Sequence, residues 1–177
     1  MNTYCVSLNF NIPPLRENIV LSPHSDHIKK LNLKLINPKL TSIFDKLNVS
    51  VGSLQHLSYP PYFTGTIHID NEGGDYIKCN WIYQGSNSIV NWYEPIDTII
   101  KPANVISREY QFIKYDKSEV KLLYSQSVTL PSLIQVGIPH NVINFNEPRE
   151  CLSMVLFYKN NRITMHDSIK IFNQYLV

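Results

Sequence analysis

His68, Asp70 and His140 are the residues of this chain whose types and spacing can do chemistry together. His68 and Asp70 are two apart at the end of a stretch, Thr64-Gly65-Thr66-Ile67-His68-Ile69-Asp70, that alternates in strand fashion. Residues i and i+2 of a strand share a face, so both side chains can point into the mouth of a barrel. His140 follows a second strand-like stretch, Ser132 to Ile138, and is introduced by Pro139. A closed double sheet can bring that end beside the first. Two imidazoles and one carboxylate would then occupy one face of a divalent metal ion and leave other positions open for substrate and oxygen. Two neutral nitrogens and one anionic oxygen suit Fe(II), although the ligand types alone do not name the metal.

Each of these residues also has a plainer reading. His-x-Asp is a common tripeptide, and His24-Ser25-Asp26 is a second copy, read here as a surface turn and cap before a short helix. His68 and Asp70 can be a hydrogen-bonded pair inside a β-sandwich. His27 and His56 read as surface or core histidines, and His166-Asp167 as the N-terminal cap of a helix, with the carboxylate near the positive end of the dipole. Three features weigh towards a metal site: the second histidine lies about seventy residues on, several strands intervene, and Arg149 follows nine residues later at the start of another strand.

The elements that must position these side chains are mostly strands. Tyr4 to Phe10 reads as an edge strand stopped by Pro13-Pro14. Asn37-Pro38 starts a helix whose Leu40, Ile43, Phe44 and Leu47 form one apolar stripe. Beyond Pro60-Pro61 the pattern is β. Tyr76 to Tyr83, Ser88 to Tyr93, Val105 to Tyr115, Glu119 to Val128, Ser132 to Ile138, Val142 to Phe145 and Arg149 to Lys159 are candidate strands, with Asn71 to Asp75 and Gln84 to Asn87 as turns. A last helix is expected from about Asp167 to Tyr175. The expectation is a mainly β single domain over residues 1–177, a jelly roll or cupin-like double-stranded β-helix with a few flanking helices. Residues 1–60 form a mixed α/β support, 61–160 the jelly-roll core and 165–177 the C-terminal helix.

Composition excludes several other classes. The chain has 177 residues, enough for one core. It is 44% hydrophobic and 17% charged, which is too apolar for a disordered protein. A net charge of +2 without a basic stripe argues against nucleic acid. No apolar run approaches the roughly 20 residues of a membrane span, and the N-terminus lacks the pattern of a signal peptide, so a cytoplasmic protein with no membrane partner is expected. Cys5, Cys79 and Cys151 are too few and too widely spaced for a disulfide framework and read as reduced thiols. There is no G-x-S-x-G elbow and no P-loop, and six glycines leave little room for a dinucleotide-binding start.

The order His68-Ile69-Asp70, His140, Arg149 resembles that of the Fe(II)/2-oxoglutarate-dependent dioxygenases, whose core is a double-stranded β-helix. The resemblance spans roughly residues 55–160. It is carried by Phe63 to Asp70, Asn80-Trp81, Pro139-His140-Asn141-Val142-Ile143-Asn144 and Glu147-Pro148-Arg149-Glu150-Cys151-Leu152-Ser153, which are similar to small microbial and phage-type members and to the prolyl and aspartyl/asparaginyl hydroxylase branches. It implies that His68, Asp70 and His140 hold Fe(II). Arg149 would bind the distal carboxylate of 2-oxoglutarate, as a bidentate guanidinium pair. It also implies a hydroxylase that couples decarboxylation of the keto acid by O2 to oxidation of a C–H bond in a small-molecule or peptide substrate.

One position departs from the family. Many members carry Arg-x-Ser, whereas here residue 151 is Cys and the serine is Ser153, one strand repeat further on. Asn80 and Tyr93 are further candidates for contacts to the keto acid or to a metal ligand. Trp81 and Trp92 read as core. Arg149 can instead be a surface residue paired with Glu147 or Glu150. Two other functions stay open: a non-catalytic jelly-roll binding or structural module, and a cupin-like metalloenzyme that uses no 2-oxoglutarate. Oligomeric state is open as well.

Overall fold

A computed structural model of the chain describes residues 4–70, 74–85, 87–97, 104–107 and 110–177. In chain order its elements are β1 (Cys5–Ser7), β2 (Ile28–Leu31), α1 (Pro38–Lys46), β3 (Val49–Tyr59), β4 (Ile67–Asp70), β5 (Ile77–Gln84), β6 (Ser88–Pro95), β7 (Asn104–Ser107), β8 (Tyr110–Tyr115), β9 (Val120–Ser127), β10 (Ser132–Gln135), β11 (His140–Asn144), β12 (Arg149–Tyr158), β13 (Asn161–Arg162) and α2 (Met165–Ile171). The strands form two antiparallel sheets. The larger runs β1-β10-β5-β12-β3-β2, with β13 on β12; the smaller runs β7-β8-β4-β11-β6-β9. The mainly β architecture with few helices follows the sequence expectation.

Period-2 alternation sorts the residues of the larger sheet into two faces. Leu54 of β3, Ile77, Cys79 and Trp81 of β5, and Leu152, Met154 and Leu156 of β12 face outward into a core shared with α1, the N-terminal segment and α2. There Phe10 stacks on Trp81 at 5.7 Å, and Leu40 and Phe44 of α1 are buried, as the helical stripe requires. Asn37 caps α1 by accepting a hydrogen bond from Lys39 N, and Pro38 occupies the first turn. The opposite face of the larger sheet meets the smaller one. Trp92 of β6, fully buried, donates from Nε1 to Gln135 O at 2.9 Å and packs with Cys5, Ile134 and Val136. Both tryptophans are therefore core residues. The three cysteines are free, buried and all in strands.

Several local expectations change. The sequence expectation has no strand between α1 and Pro60. The 11 residues of β3 nevertheless run the length of β12, with Arg149 opposite Tyr59 and Ser153 opposite Gln55. The apolar-poor Val49-Ser50-Val51-Gly52-Ser53 hides the alternation, and Gly52 sits where Val155 and Leu156 shift register. A Cβ there would collide with Phe157. The expected helix after His24-Ser25-Asp26 is instead β2, reached through His27 at φ 60°. The C-terminal helix starts earlier than expected, at Met165, with Thr164 as its cap; Asp167 N donates to Thr164 Oγ1 at 3.0 Å. Part of the turn expected at 71–75, Ser86 of the next turn, and residues 108–109 within the expected strand from Val105 to Tyr115 lie outside the described residues; that strand is divided into β7 and β8. No helix among the described residues is long and apolar enough to cross a membrane.

Candidate metal centre

β4 contributes His68 and Asp70 from one face, as their spacing requires. The neighbouring β11 pairs antiparallel with it, and the register sets His140 directly opposite His68. The two rings lie 4.6 Å apart, centroid to centroid. One ligand atom from each of His68, Asp70 and His140 falls within 4.8 Å of the others, close enough for the three to converge on a single metal ion after a small adjustment. No other such group of three forms among the described residues.

Backbone carbonyls orient both imidazoles in the same way. His68 Nδ1 lies 2.8 Å from Thr66 O, and His140 Nδ1 lies 2.9 Å from Ile138 O. A carbonyl only accepts, so each Nδ1 carries a proton; Nε2 of the neutral His140 then presents a lone pair, whereas His68 Nε2 faces the Asp70 carboxylate and donates to it, a proton that a bound metal would displace. Outer hydrogen bonds of this kind fix the tautomer a metal-binding histidine needs. His68 Nε2 is 3.3 Å from Asp70 Oδ1. Burial pushes the His140 imidazole down to about 4, and the charge of His68 adds to that. Burial by itself would raise the Asp70 carboxyl. The ammonium of Lys78, 2.6 Å away, and the hydrogen bond from His68 outweigh it and hold the carboxyl well below its usual range. At neutral pH the centre therefore offers a neutral imidazole at His140 and a carboxylate at Asp70.

The three side chains open into a cavity of about 230 Å³ between the sheets. Its far wall is polar where β5 and β12 run side by side. Arg149, Ser153 and Asn80 all line it, and Ser153 lies opposite Asn80 in the pairing. Arg149 is 1% exposed, yet its Nε and Nη1 have no hydrogen-bond partner; Asn80 Oδ1 and Ser153 Oγ are buried and unpaired as well. Buried polar groups are nearly always paired, so four such atoms around one cavity leave hydrogen-bonding capacity that water or a polar ligand could take up. The remaining wall is apolar, from Leu57, Tyr59, Phe63, Val90 and Val142 among others. Burial pushes the Tyr59 hydroxyl up to about 12 despite the charge of Arg149, so it stays a donor.

The structure thus gathers six of the seven expected site residues, His68, Asp70, His140, Arg149, Ser153 and Asn80, in one cavity. Tyr93 is the exception. Val90 and Trp92 point inward on β6, so Asn91 and Tyr93 point outward by parity. Tyr93 OH donates to Asn141 Oδ1 at 3.1 Å, within an asparagine network on the outer face that includes Asn91 and Ser125. The surface-pair reading of Arg149 fails for the same reason of parity. Glu150 faces the other side of the sheet, where its oxygens meet His56 Nε2 at 2.6 Å and Ser58 Oγ at 2.7 Å. His56 is accordingly a core histidine, and His24 packs edge-on against it at 4.9 Å, away from the His68–Asp70–His140 cluster.

Among the cavity residues that escaped the sequence analysis are Lys78 and Gln55, both polar. Lys78 was readable, because it lies two residues before Asn80 on one strand and must share its face. Gln55 was not, since β3 itself was unrecognised. Compared with known proteins, the chain matches no family model and no curated protein.

Proposed function

We propose that this protein is a non-haem Fe(II)- and 2-oxoglutarate-dependent oxygenase, of hydroxylase type. The observation that carries the proposal is Arg149. A guanidinium that is 1% exposed, with Nε and Nη1 unpaired, shares one cavity with a two-histidine, one-carboxylate group. A fixed cation facing a metal centre across a cavity suits a small dianion that chelates the metal at one end and meets the guanidinium at the other.

In this proposal His68 Nε2, His140 Nε2 and Asp70 hold Fe(II). Arg149 binds the distal carboxylate, and Ser153 and Asn80 complete its hydrogen bonds; Ser153 supplies the hydroxyl that the family pattern places at residue 151. Cys151 is fully buried between them, its thiol against Arg149. The apolar walls exclude water from the reacting end. Iron with the keto acid supplies the oxidising chemistry, and the chain supplies position and a dry cavity.

Strand order supports the double-stranded β-helix as the finer description. β3, β12, β5 and β10 are consecutive in the larger sheet, and β4, β11, β6 and β9 in the smaller one. Along the chain these eight strands pass back and forth between the sheets, which is the winding of a jelly roll.

The test is anaerobic titration of the metal-free protein with Fe(II) and then 2-oxoglutarate. A visible metal-to-ligand charge-transfer band, absent in His140→Ala and weakened in Arg149→Met, is the expected result. Metal bound without a band overturns the keto-acid assignment in favour of a cupin-like metalloenzyme. Failure to bind any divalent metal overturns the metal centre and leaves a non-catalytic binding module.

A further inference from the structure

Lys78 has no part in the chemistry above, yet it touches the metal centre. Its side chain starts on β5 in the larger sheet and crosses the cavity to Asp70 on β4 in the smaller one. Nζ stands 2.6 Å from Asp70 Oδ2, with the two side chains 19% and 17% exposed. Asp70 Oδ1 is turned the other way, 3.3 Å from His68 Nε2. The two oxygens of one carboxylate are therefore divided between an ammonium and the imidazole side of the centre.

We propose that Lys78 is a positioning residue that keeps Asp70 a one-oxygen metal ligand. The inference rests on the metal-centre part of the proposed function. Carboxylates bind metals through one oxygen or through both. An ammonium has three donors and no lone pair, so it can occupy Oδ2 without itself becoming a ligand. A short, charge-assisted hydrogen bond in a half-buried site is strong enough to hold that oxygen aside. The consequence is a count of open positions. A six-coordinate ion held by two imidazoles and one oxygen keeps three open; one held through both oxygens keeps two. A chelating keto acid and a further small ligand need three together. Lys78 thus decides whether both can sit on the metal at once.

The count can be read without turnover, using Mn(II) alone, which prefers six oxygen- or nitrogen-type ligands. The fraction bound comes from the electron paramagnetic resonance signal of free Mn(II). The number of exchangeable waters on the bound ion comes from water-proton relaxation. The wild-type protein is expected to hold Mn(II) with its full complement of waters. In Lys78→Met, and equally in Lys78→Ala, the relaxation enhancement per bound ion falls to about two-thirds, because Oδ2 displaces one water of three. Lys78→Arg, which keeps a cationic donor, retains the wild-type value. If either apolar variant fails to show a cooperative melt, the other is compared with Lys78→Arg. An unchanged enhancement with tighter binding in the apolar variants overturns the proposal and makes Lys78 a competitor for the ion. An unchanged enhancement with unchanged binding overturns it and leaves Lys78 a structural ion pair. No Mn(II) on the wild-type protein, at the level of His140→Ala, overturns the metal centre and the role of Lys78 with it.

Discussion

Replacing Arg149 with methionine should make the unliganded protein more stable while removing its ability to gain stability from 2-oxoglutarate. Arg149 is 1% exposed, and Nε and Nη1 are buried without partners. Leaving a buried donor unpaired costs about 1–3 kcal/mol, and more when it carries charge. Methionine keeps most of the stem's volume and packs adaptably, so the loss from repacking is under about 1.5 kcal/mol. The balance for Arg149→Met is a gain of roughly 1–3 kcal/mol. At about 2–4 °C per kcal/mol for a chain of this size, the unliganded variant should melt some 2–12 °C above the wild type. If the proposed function holds, adding 2-oxoglutarate at about a hundred times its Kd, with the metal present and oxygen excluded, should stabilise the wild type by about 2.7 kcal/mol and the variant by almost nothing. The assay is a pair of calorimetric melts for each protein, with and without the keto acid. A variant that melts below the wild type without keto acid would show that the guanidinium is satisfied as it stands. An equal upward shift in both proteins would show that the ligand does not use it. Either result refutes the reasoning from unpaired donors to an anion site.

Other outcomes follow from the same geometry. His68→Ala and His140→Ala should each lose tight divalent-metal binding by isothermal titration, while Asp26→Ala keeps it, because His24 and Asp26 lie outside the centre; loss of metal in Asp26→Ala but not in Asp70→Ala would overturn the ligand assignment. The metal-free protein should lose stability as pH falls from about 6.5 towards 4. Burial holds His140 down to about 4 and also lowers His56, so the unfolded chain takes up protons first. Each fully buried imidazole contributes up to about 1.4 kcal/mol per pH unit in that window. A urea midpoint that is the same at pH 7 and pH 5 would contradict this. Gly85→Ala should destabilise the protein by at least about 2 kcal/mol by chemical denaturation. Gly85 has φ 79°, and a Cβ there would strike the Pro148 carbonyl beside Arg149. A loss under about 0.5 kcal/mol would mean that the 85 and 148 turns part freely. Glu150→Ala should cost about 1–3 kcal/mol in the same assay, because it removes the acceptor of Ser58 Oγ and one of the two oxygen partners of His56 Nε2, the Tyr83 hydroxyl at 2.7 Å being the other; a neutral effect would show that water replaces the carboxylate.

How much of this was legible beforehand follows from how far each property reaches along the chain. Relations within one element were readable. The two-residue spacing of His68 and Asp70 fixes a common face on β4. The apolar stripe of Leu40, Ile43, Phe44 and Leu47 fixes α1, and alternation in Tyr76 to Tyr83 and Ser88 to Tyr93 marks two strands. The same parity rule, applied more fully, would have added Lys78 to Asn80 and excluded Tyr93, which sits one residue out of step with Val90 and Trp92. β3 was not readable, because Val49 to Ser53 mixes small and polar residues around a register shift; only pairing with β12 makes a strand of it.

The sequence by itself determined the types and order of the candidate ligands, the β character of the chain and the common face of His68 and Asp70, since these are consequences of covalent spacing and local backbone geometry. Tertiary structure alone decided which distant faces meet. Antiparallel register sets His140 opposite His68, closure of the two sheets buries Arg149 in one cavity with the unpaired Ser153 Oγ and Asn80 Oδ1, and the same closure brings an ammonium from one sheet to the Asp70 carboxylate of the other. Register and sheet packing are fixed by the summed burial of many side chains rather than by any motif, so that part of the site is not written at any single position of the sequence.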